Sequence, residues 1–203
     1  MKLYGDLISP FVRMSMVTAI ECGLGQRVEL QSAVVKPSEV SQPIAALNPI
    51  GKIPVLERDQ GDALYDSRVI MEYFCAEAGN TRLLPQESAK RFTVLTTLAL
   101  AQGIADAAVA LRYETFARPE ALRWPELADR QRARITAGLD ELERSGGVLL
   151  DHVTLASIAT ACAIGYIEAR QLLPQWRSNR SWLSHWYEEF CKRESMAQTA
   201  PKV

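Results

Sequence analysis

The feature that most constrains this chain is a change of pattern near residue 80. Before it, short runs of strand period alternate with runs of helical period; after it, no convincing strand occurs. Residues 2–5 read as a first strand. Ser9-Pro10 then opens a helix, with Ser9 as N-cap and Pro10 at the first helical position, where its missing N–H costs nothing. Val12, Ser15, Met16, Ala19 and Ile20 keep helical spacing, and Gly23 stops the run. Residues 27–31 alternate as a second strand. Residues 38–47 read as a short irregular helix disturbed by Pro43. Residues 53–56 and 63–64 read as short strands around the turn Asp59-Gln60-Gly61-Asp62. Asp66-Ser67 caps a helix to about Ala78. A strand–helix–strand unit implies a parallel pair with a right-handed crossover, and a terminal hairpin adds an antiparallel strand. The expectation for 1–78 is therefore an α/β domain with a four-stranded mixed sheet and about three helices.

Gly79, Asn80 and Leu84-Pro85 break the periodicity, which places a linker at 79–86. Residues 87–203 are expected to form an all-α bundle. Residues 88–116 read as one long helix, broken by Arg118-Pro119. A polar helix over 121–142 should end before Gly146-Gly147. Residues 154–169 are apolar almost all round, as in a buried central helix. A last helix is expected over 179–192, with a frayed tail over about 196–203.

Composition removes several function classes. The chain has 203 residues, 48% apolar and 23% charged, with net charge −1. That is ordinary for a globular protein and gives no global attraction to nucleic acid or anionic lipid. Cys22, Cys75, Cys162 and Cys191 form no CxxC pair and no zinc spacing, so they read as small buried hydrophobes. His152 and His185 lack neighbouring ligands and read as structural or solvated. The opening MKLYGDLISP has no long apolar stretch, so no signal peptide is expected. The longest apolar region, read at 158–167, is too short and interrupted to span a bilayer. A cytoplasmic protein with no membrane or nucleic-acid partner is the expectation.

Three constellations carry chemistry. Ser9-Pro10-Phe11 sets a hydroxyl beside the free N–H groups of a helix start, where the macrodipole favours an anion such as a thiolate. Asn48-Pro49-Ile50-Gly51-Lys52-Ile53-Pro54 puts a proline at a strand start; a cis Ile53–Pro54 bond would expose the backbone of Ile53 to a ligand. Asp66-Ser67-Arg68 opens a helix with groups suited to an α-amino acid: a carboxylate for its ammonium, and a hydroxyl with N–H groups for its carboxylate. Taken singly, each also reads as plain structure: two helix caps and a loop.

Together they resemble the cytosolic glutathione S-transferase family over nearly the whole chain, and look like a bacterial member with a Ser-Pro-Phe active-site turn. Asp66-Ser67-Arg68-Val69-Ile70 is similar to the family's γ-glutamyl-binding helix start. Thr154-Leu155-Ala156-Ser157 resembles its capping box, with Ser157 where Asp is usual. The resemblance implies a thioredoxin-like first domain and a helical second domain. Glutathione would be the co-substrate, with no metal. The Ile53 backbone would pair with the cysteinyl part beside a cis Pro54, and Asp66 and Ser67 would hold the γ-glutamyl end. Ser9 would point at the sulfur, with Phe11 beside it. Lys52 and the stretch from Gln31 to Lys36 lie where the glycyl carboxylate is often met.

Ser9 with Val12 offers no dithiol, which argues against disulfide exchange. A serine hydroxyl instead donates to the thiolate and lowers its pKa. The resemblance further implies a homodimer, with Arg68 and Glu72 as candidate interface charges, and a role in detoxification. Ala108, Leu111, Arg112 and Phe116 are the candidate electrophile pocket, although Leu111 and Phe116 also read as core and Arg112 as a solvated charge. Arg112 or Tyr113 would assist a leaving group, and Asp106 could reach a partner's glutathione. The function expected is thiolate attack on a small electrophile. Glutathione-binding scaffold proteins, isomerases, dehalogenases and peroxidases use the same cradle and remain alternatives.

Overall fold

The computed structural model describes residues 1–201, without the side chains of Val148 and Leu149. The elements in chain order are β1 (Lys2–Tyr4), α1 (Pro10–Glu21), β2 (Glu29–Gln31), α2 (Gln42–Leu47), β3 (Val55–Glu57) and α3 (Ser67–Glu77), then α4 (Ser88–Arg112), α5 (Pro125–Leu149), α6 (Leu155–Ala169), α7 (Ser181–Cys191) and α8 (Glu194–Gln198).

The sheet has three strands in the order β2-β1-β3, with β1 parallel to β2 and antiparallel to β3. The expected fourth strand is reduced to one bridge. Leu64 exchanges both backbone hydrogen bonds with Leu56 at 2.9 Å, and the chain then turns directly into α3. Two residues between a tight turn and a helix cap leave no length for a ladder.

Helix α1 joins two cores. Val12, Met16 and Ala19 pack with Leu3, Leu56, Ile70 and Phe74 against the sheet. Met14 and Val17 join Met71 and the helical half in the larger cluster. Two apolar stripes on one helix explain why α1 is buried almost throughout, and each fully buried large side chain contributes about 1.5–3 kcal/mol. At the centre of the helical half, every residue of α6 from Leu155 to Ile167 is buried. Its start is a reciprocal cap: Thr154 N–H donates to Ser157 Oγ (2.8 Å) and Ser157 N–H to Thr154 Oγ1 (3.4 Å). Serine therefore fills the place of the usual acid.

Other expectations need correction. Helix α2 begins at Gln42, and Pro43 sits in its first turn, starting the helix rather than disturbing it. The long run of α4 ends at Arg112 and continues as a π turn over Tyr113–Ala117. Helix α5 runs straight through Gly146-Gly147. A Cβ on Gly146 would lie 2.2 Å from the Trp182 ring, so this glycine serves the approach of α7 rather than a helix stop. The tail is not frayed over the described residues: Ser195, Met196 and Thr199 are buried, and Arg13 donates to Met196 C=O (3.1 Å) and Thr199 Oγ1 (3.4 Å). The longest apolar helical run is in 88–117, with mean hydropathy 1.7 over its most apolar window; more than half of that window is buried inside the protein.

Candidate functional site

Ser9 is the N-cap of α1. Asp6 shapes the preceding turn: its C=O accepts from Ser9 N–H (2.9 Å) and its carboxylate from Ile8 N–H (2.8 Å). Ser9 Oγ accepts from Val12 N–H at 3.5 Å, a long bond. Its hydroxyl hydrogen donates to no group among the described residues, so Ser9 keeps a donor beside the positive end of a helix. Phe11, half-buried, packs back onto the helical core. The only tyrosine on the adjoining strand is committed elsewhere. Tyr4 donates to Glu57 at 2.7 Å, and that bond holds its phenol above its ordinary pKa.

The second motif is a pinned loop. Buried Asn48 accepts from Ile50 N–H (3.1 Å) and donates to Lys52 C=O (2.9 Å), while Gly51 takes φ +69°. Asn48 thus supplies the hydrogen bonds of a turn through its side chain. The Ile53–Pro54 bond is cis and Pro54 is buried. The N–H and C=O of Ile53 pair with no other backbone group among the described residues.

At the third motif, the exposed Asp66 caps α3 through Arg68 N–H (3.0 Å). Ser67 is buried, and Gln102 of α4 donates to its hydroxyl at 3.2 Å. The same Gln102 accepts from Arg68 Nε. One buried amide thus clamps both residues after the cap. Nothing in the sequence singles out Gln102 beyond its being a lone amide among Leu98, Ala101, Ile104 and Ala105.

One turn beyond Gln102, Asp106 faces Lys52, Arg68 and Asp66. Desolvation raises its carboxyl above the ordinary value; Lys52 and Arg68 oppose this, and Asp66 adds to it. The side chain still reaches solvent on one side. Lys36 lies apart on an exposed loop, held by Glu39 at 3.0 Å. Among the pocket candidates, Ala108 and Leu111 are buried in the helical core, whereas the Arg112 guanidinium lies 3.3 Å from the centroid of the exposed Phe116 ring.

The cysteines stand away from this site. Cys162 is buried, and its thiol is pushed up to about 12 by burial. Cys22 and Cys75 lie at the opposite end of α1 from Ser9, where Asn80 donates to Cys22 Sγ at 3.9 Å. Two surface grooves, one lined by Glu21 and Arg193 and one by Trp182 and Trp186, are likewise remote from the three motifs. No three His, Cys, Asp or Glu side chains cluster as metal ligands among the described residues.

The family models of the glutathione S-transferase N-terminal and C-terminal domains match residues 8–77 and 125–189. The chain is 36% identical over 204 aligned positions to the GST-like protein YibF of Escherichia coli, covering 99% of this chain and 98% of that one. Among solved structures, it is similar to a glutathione transferase family member from Pseudomonas fluorescens Pf-5 with bound glutathione, at 38% identity and TM-score 0.96, covering 100% and 99% of the two chains. A second structure described as such a family member from Pf-5, with bound S-(propanoic acid)-glutathione, matches at 38% identity and TM-score 0.90 over the full length of both chains. A glutathione S-transferase from Methylobacillus flagellatus with glutathione bound follows at 33% identity and TM-score 0.87, covering 99% of each. With the thioredoxin-like half and the helical half both matched, this chain belongs to the glutathione S-transferase family.

Proposed function

We propose that the protein is a glutathione transferase of the cytoplasm in which Ser9 stabilises the glutathione thiolate for attack on a small electrophile. The observation that carries this reading is the Ser9 hydroxyl hydrogen, which has no partner among the described residues, at the start of α1. The open backbone of Ile53 and the clamped Asp66-Ser67 supply two further anchors, which fix a tripeptide with its sulfur toward that turn. The thiol proton leaves to solvent. The thiolate forms the new S–C bond as the electrophile's leaving group departs with its electron pair, or as its double bond accepts the electrons. Residues 1–78 form the glutathione-binding unit, and 87–203, after a linker at 79–86, form the electrophile side.

Within that cradle, Lys52 is the better partner for the glycyl carboxylate, because Lys36 is engaged by Glu39. Arg112 and Phe116 are the outward part of the electrophile pocket, with Ala108 and Leu111 forming its wall from behind. The active form is a homodimer. Val69, Phe92 and Ile50 are uncovered apolar side chains, and association through α3 and α4 would bury the first two. A role in detoxification follows from a cradle that commits its specific contacts to glutathione. The carboxylate-bearing thioether held by the relative from Pseudomonas fluorescens supports an opening on the sulfur side.

The test is retention on glutathione-agarose followed by conjugation of 1-chloro-2,4-dinitrobenzene, with Ser9→Ala beside the parent protein. Loss of turnover with retained binding supports the reading; equal turnover removes Ser9 from the mechanism. Retention without turnover of any electrophile, isomerisable substrate or peroxide would favour a scaffold role instead.

A further inference from the structure

We propose that Arg112 and Arg170 form a paired cationic site that gives this transferase a preference for electrophiles bearing a carboxylate or a similar anionic group. The inference rests on the transferase reading above and names the substrate class of that same site.

Position comes first. The Cys22 end of α1 is tied to the start of α6: Asn80 donates to Cys22 Sγ (3.9 Å) and accepts from Leu83 N–H (3.1 Å), and Leu83 C=O accepts from Leu155 N–H (2.9 Å). Further along, Arg13 of α1 meets Gly165 of α6, where a Cβ would lie 2.5 Å from the guanidinium. Arg13 and Cys22 are separated by nearly the same number of residues as Leu155 and Gly165. At a common rise per residue the two helices run antiparallel, and Ser9 comes level with the last turn of α6, where Tyr166 and Arg170 stand. Helix α4 arrives from the glutathione side. Arg112 lies roughly 9 Å along it beyond Asp106, at 1.5 Å per residue.

The charges are unusual. Neither Arg112 nor Arg170 forms an ion pair among the described residues. Arg170 Nε is buried with no hydrogen-bond partner there. Burial depresses the Arg112 pKa, and the proximity of Arg170 adds to this, with Tyr166 acting in the opposite sense. Tyr166 is itself buried, and burial raises its phenol above the ordinary value while Arg170 and Arg112 oppose this; Phe116 floors the Arg112 guanidinium. The carbonyls at the end of α6 offset part of the repulsion. They do not satisfy the Nε donor. Two half-exposed guanidiniums without a carboxylate partner favour an anion beside them, and a carboxylate is the planar acceptor their outer donors fit. The carboxylates of glutathione are expected at Asp66-Ser67 and Lys52, so the anion belongs to the second substrate.

The experiment compares 4-chloro-3-nitrobenzoate with the neutral 4-chloro-3-nitrobenzamide. In each, glutathione sulfur displaces chloride, which leaves with its electron pair while the thiol proton passes to solvent. Values of kcat/KM are divided by the uncatalysed rate constant for each substrate. The parent protein should prefer the anion by about tenfold or more, as one charge-assisted pair predicts. Arg170→Met should reduce that ratio about tenfold and Arg112→Met several-fold, while Arg170→Lys should keep part of it. Calorimetric binding of the two S-aryl glutathione products reads the same preference without turnover. Failure of conjugation with both substrates would count against the transferase reading, yet a tighter carboxylate product would still uphold the arginine site. Equal affinity for the two products, or a preference ratio unchanged in Arg170→Met, overturns the proposal. If Arg170→Met does not fold, Arg112→Met and Arg170→Lys decide it.

Discussion

The two ends of helix α1 are built for different purposes. At its start, Ser9 caps through a single long bond and leaves its hydroxyl hydrogen unspent. At its end, the Glu21 carboxylate receives Arg193 through two nitrogens (2.9 and 2.8 Å) and Ser195 Oγ (2.5 Å). Burial pushes the Glu21 carboxyl up, but the bonds from Arg193 and Ser195 outweigh it and hold the group below its ordinary value. Cys22, Asn80 and Leu83 extend that end into the linker and α6. One helix thus has a satisfied end that locks the tail and linker, and an under-satisfied end open to a ligand. Polar groups left without protein partners mark where a substrate supplies the missing bond.

That contrast can be broken by substitution. Arg193→Met would leave Glu21 buried without its main partner. Because Arg193 is about one-third exposed, the loss is discounted to about 2 kcal/mol, or roughly 4–8 °C in Tm, measured by calorimetry. A Tm unchanged by that substitution would show that the closed end does not stabilise the fold. Ser9→Ala should act in the opposite sense. Removing a hydrogen bond to a thiolate should lower kcat/KM about 10- to 100-fold, while the loss of so long a cap bond should cost about 0.5 kcal/mol of stability. If Ser9→Ala lowered Tm as much as Arg193→Met, the start of α1 would be a structural cap after all.

A smaller effect tests the positioning of the cradle. Gln102→Leu removes the donor to Ser67 and the acceptor for Arg68, and should weaken glutathione binding about 3- to 10-fold in titration calorimetry. Rescue by Gln102→Glu, which keeps the acceptor but not the donor, separates the two bonds. The smallest effect is the pH response. Glu21 has a depressed folded pKa, so its contribution is present above its ordinary value of 4.5 and lost as pH falls through the folded value. The acid-side fall of Tm should be shallower in Arg193→Met than in the parent protein; parallel curves would remove Glu21 from the acid response.

Much of the local geometry of the candidate site was legible because its parts are local. Ser9-Pro10 and Asp66-Ser67 announce helix starts through side chains that bond two or three residues ahead, and the Asn48–Lys52 loop closes through one asparagine. The misreadings share another cause. Gly146 carries a local stop signal, but Trp182, far along the chain, requires the missing Cβ. The tail looked free because Arg13, its anchor, lies 186 residues from Thr199. Arg170 gave no signal at all: a cation just past a helix end is ordinary until its orphaned Nε is seen.

The sequence by itself determined where α1 and α3 begin, which turns are tight, and that an α/β half precedes a helical half. Caps, periodicity and turn residues act over a few consecutive positions, so they survive in a linear text. Tertiary structure alone decided that Gln102 reaches Ser67 across 35 residues, that the fourth strand shrinks to a bridge, and that Arg13 anchors the tail at Met196 and Thr199. Those outcomes depend on how long loops close and which buried donors find acceptors, and neighbouring residues do not encode that.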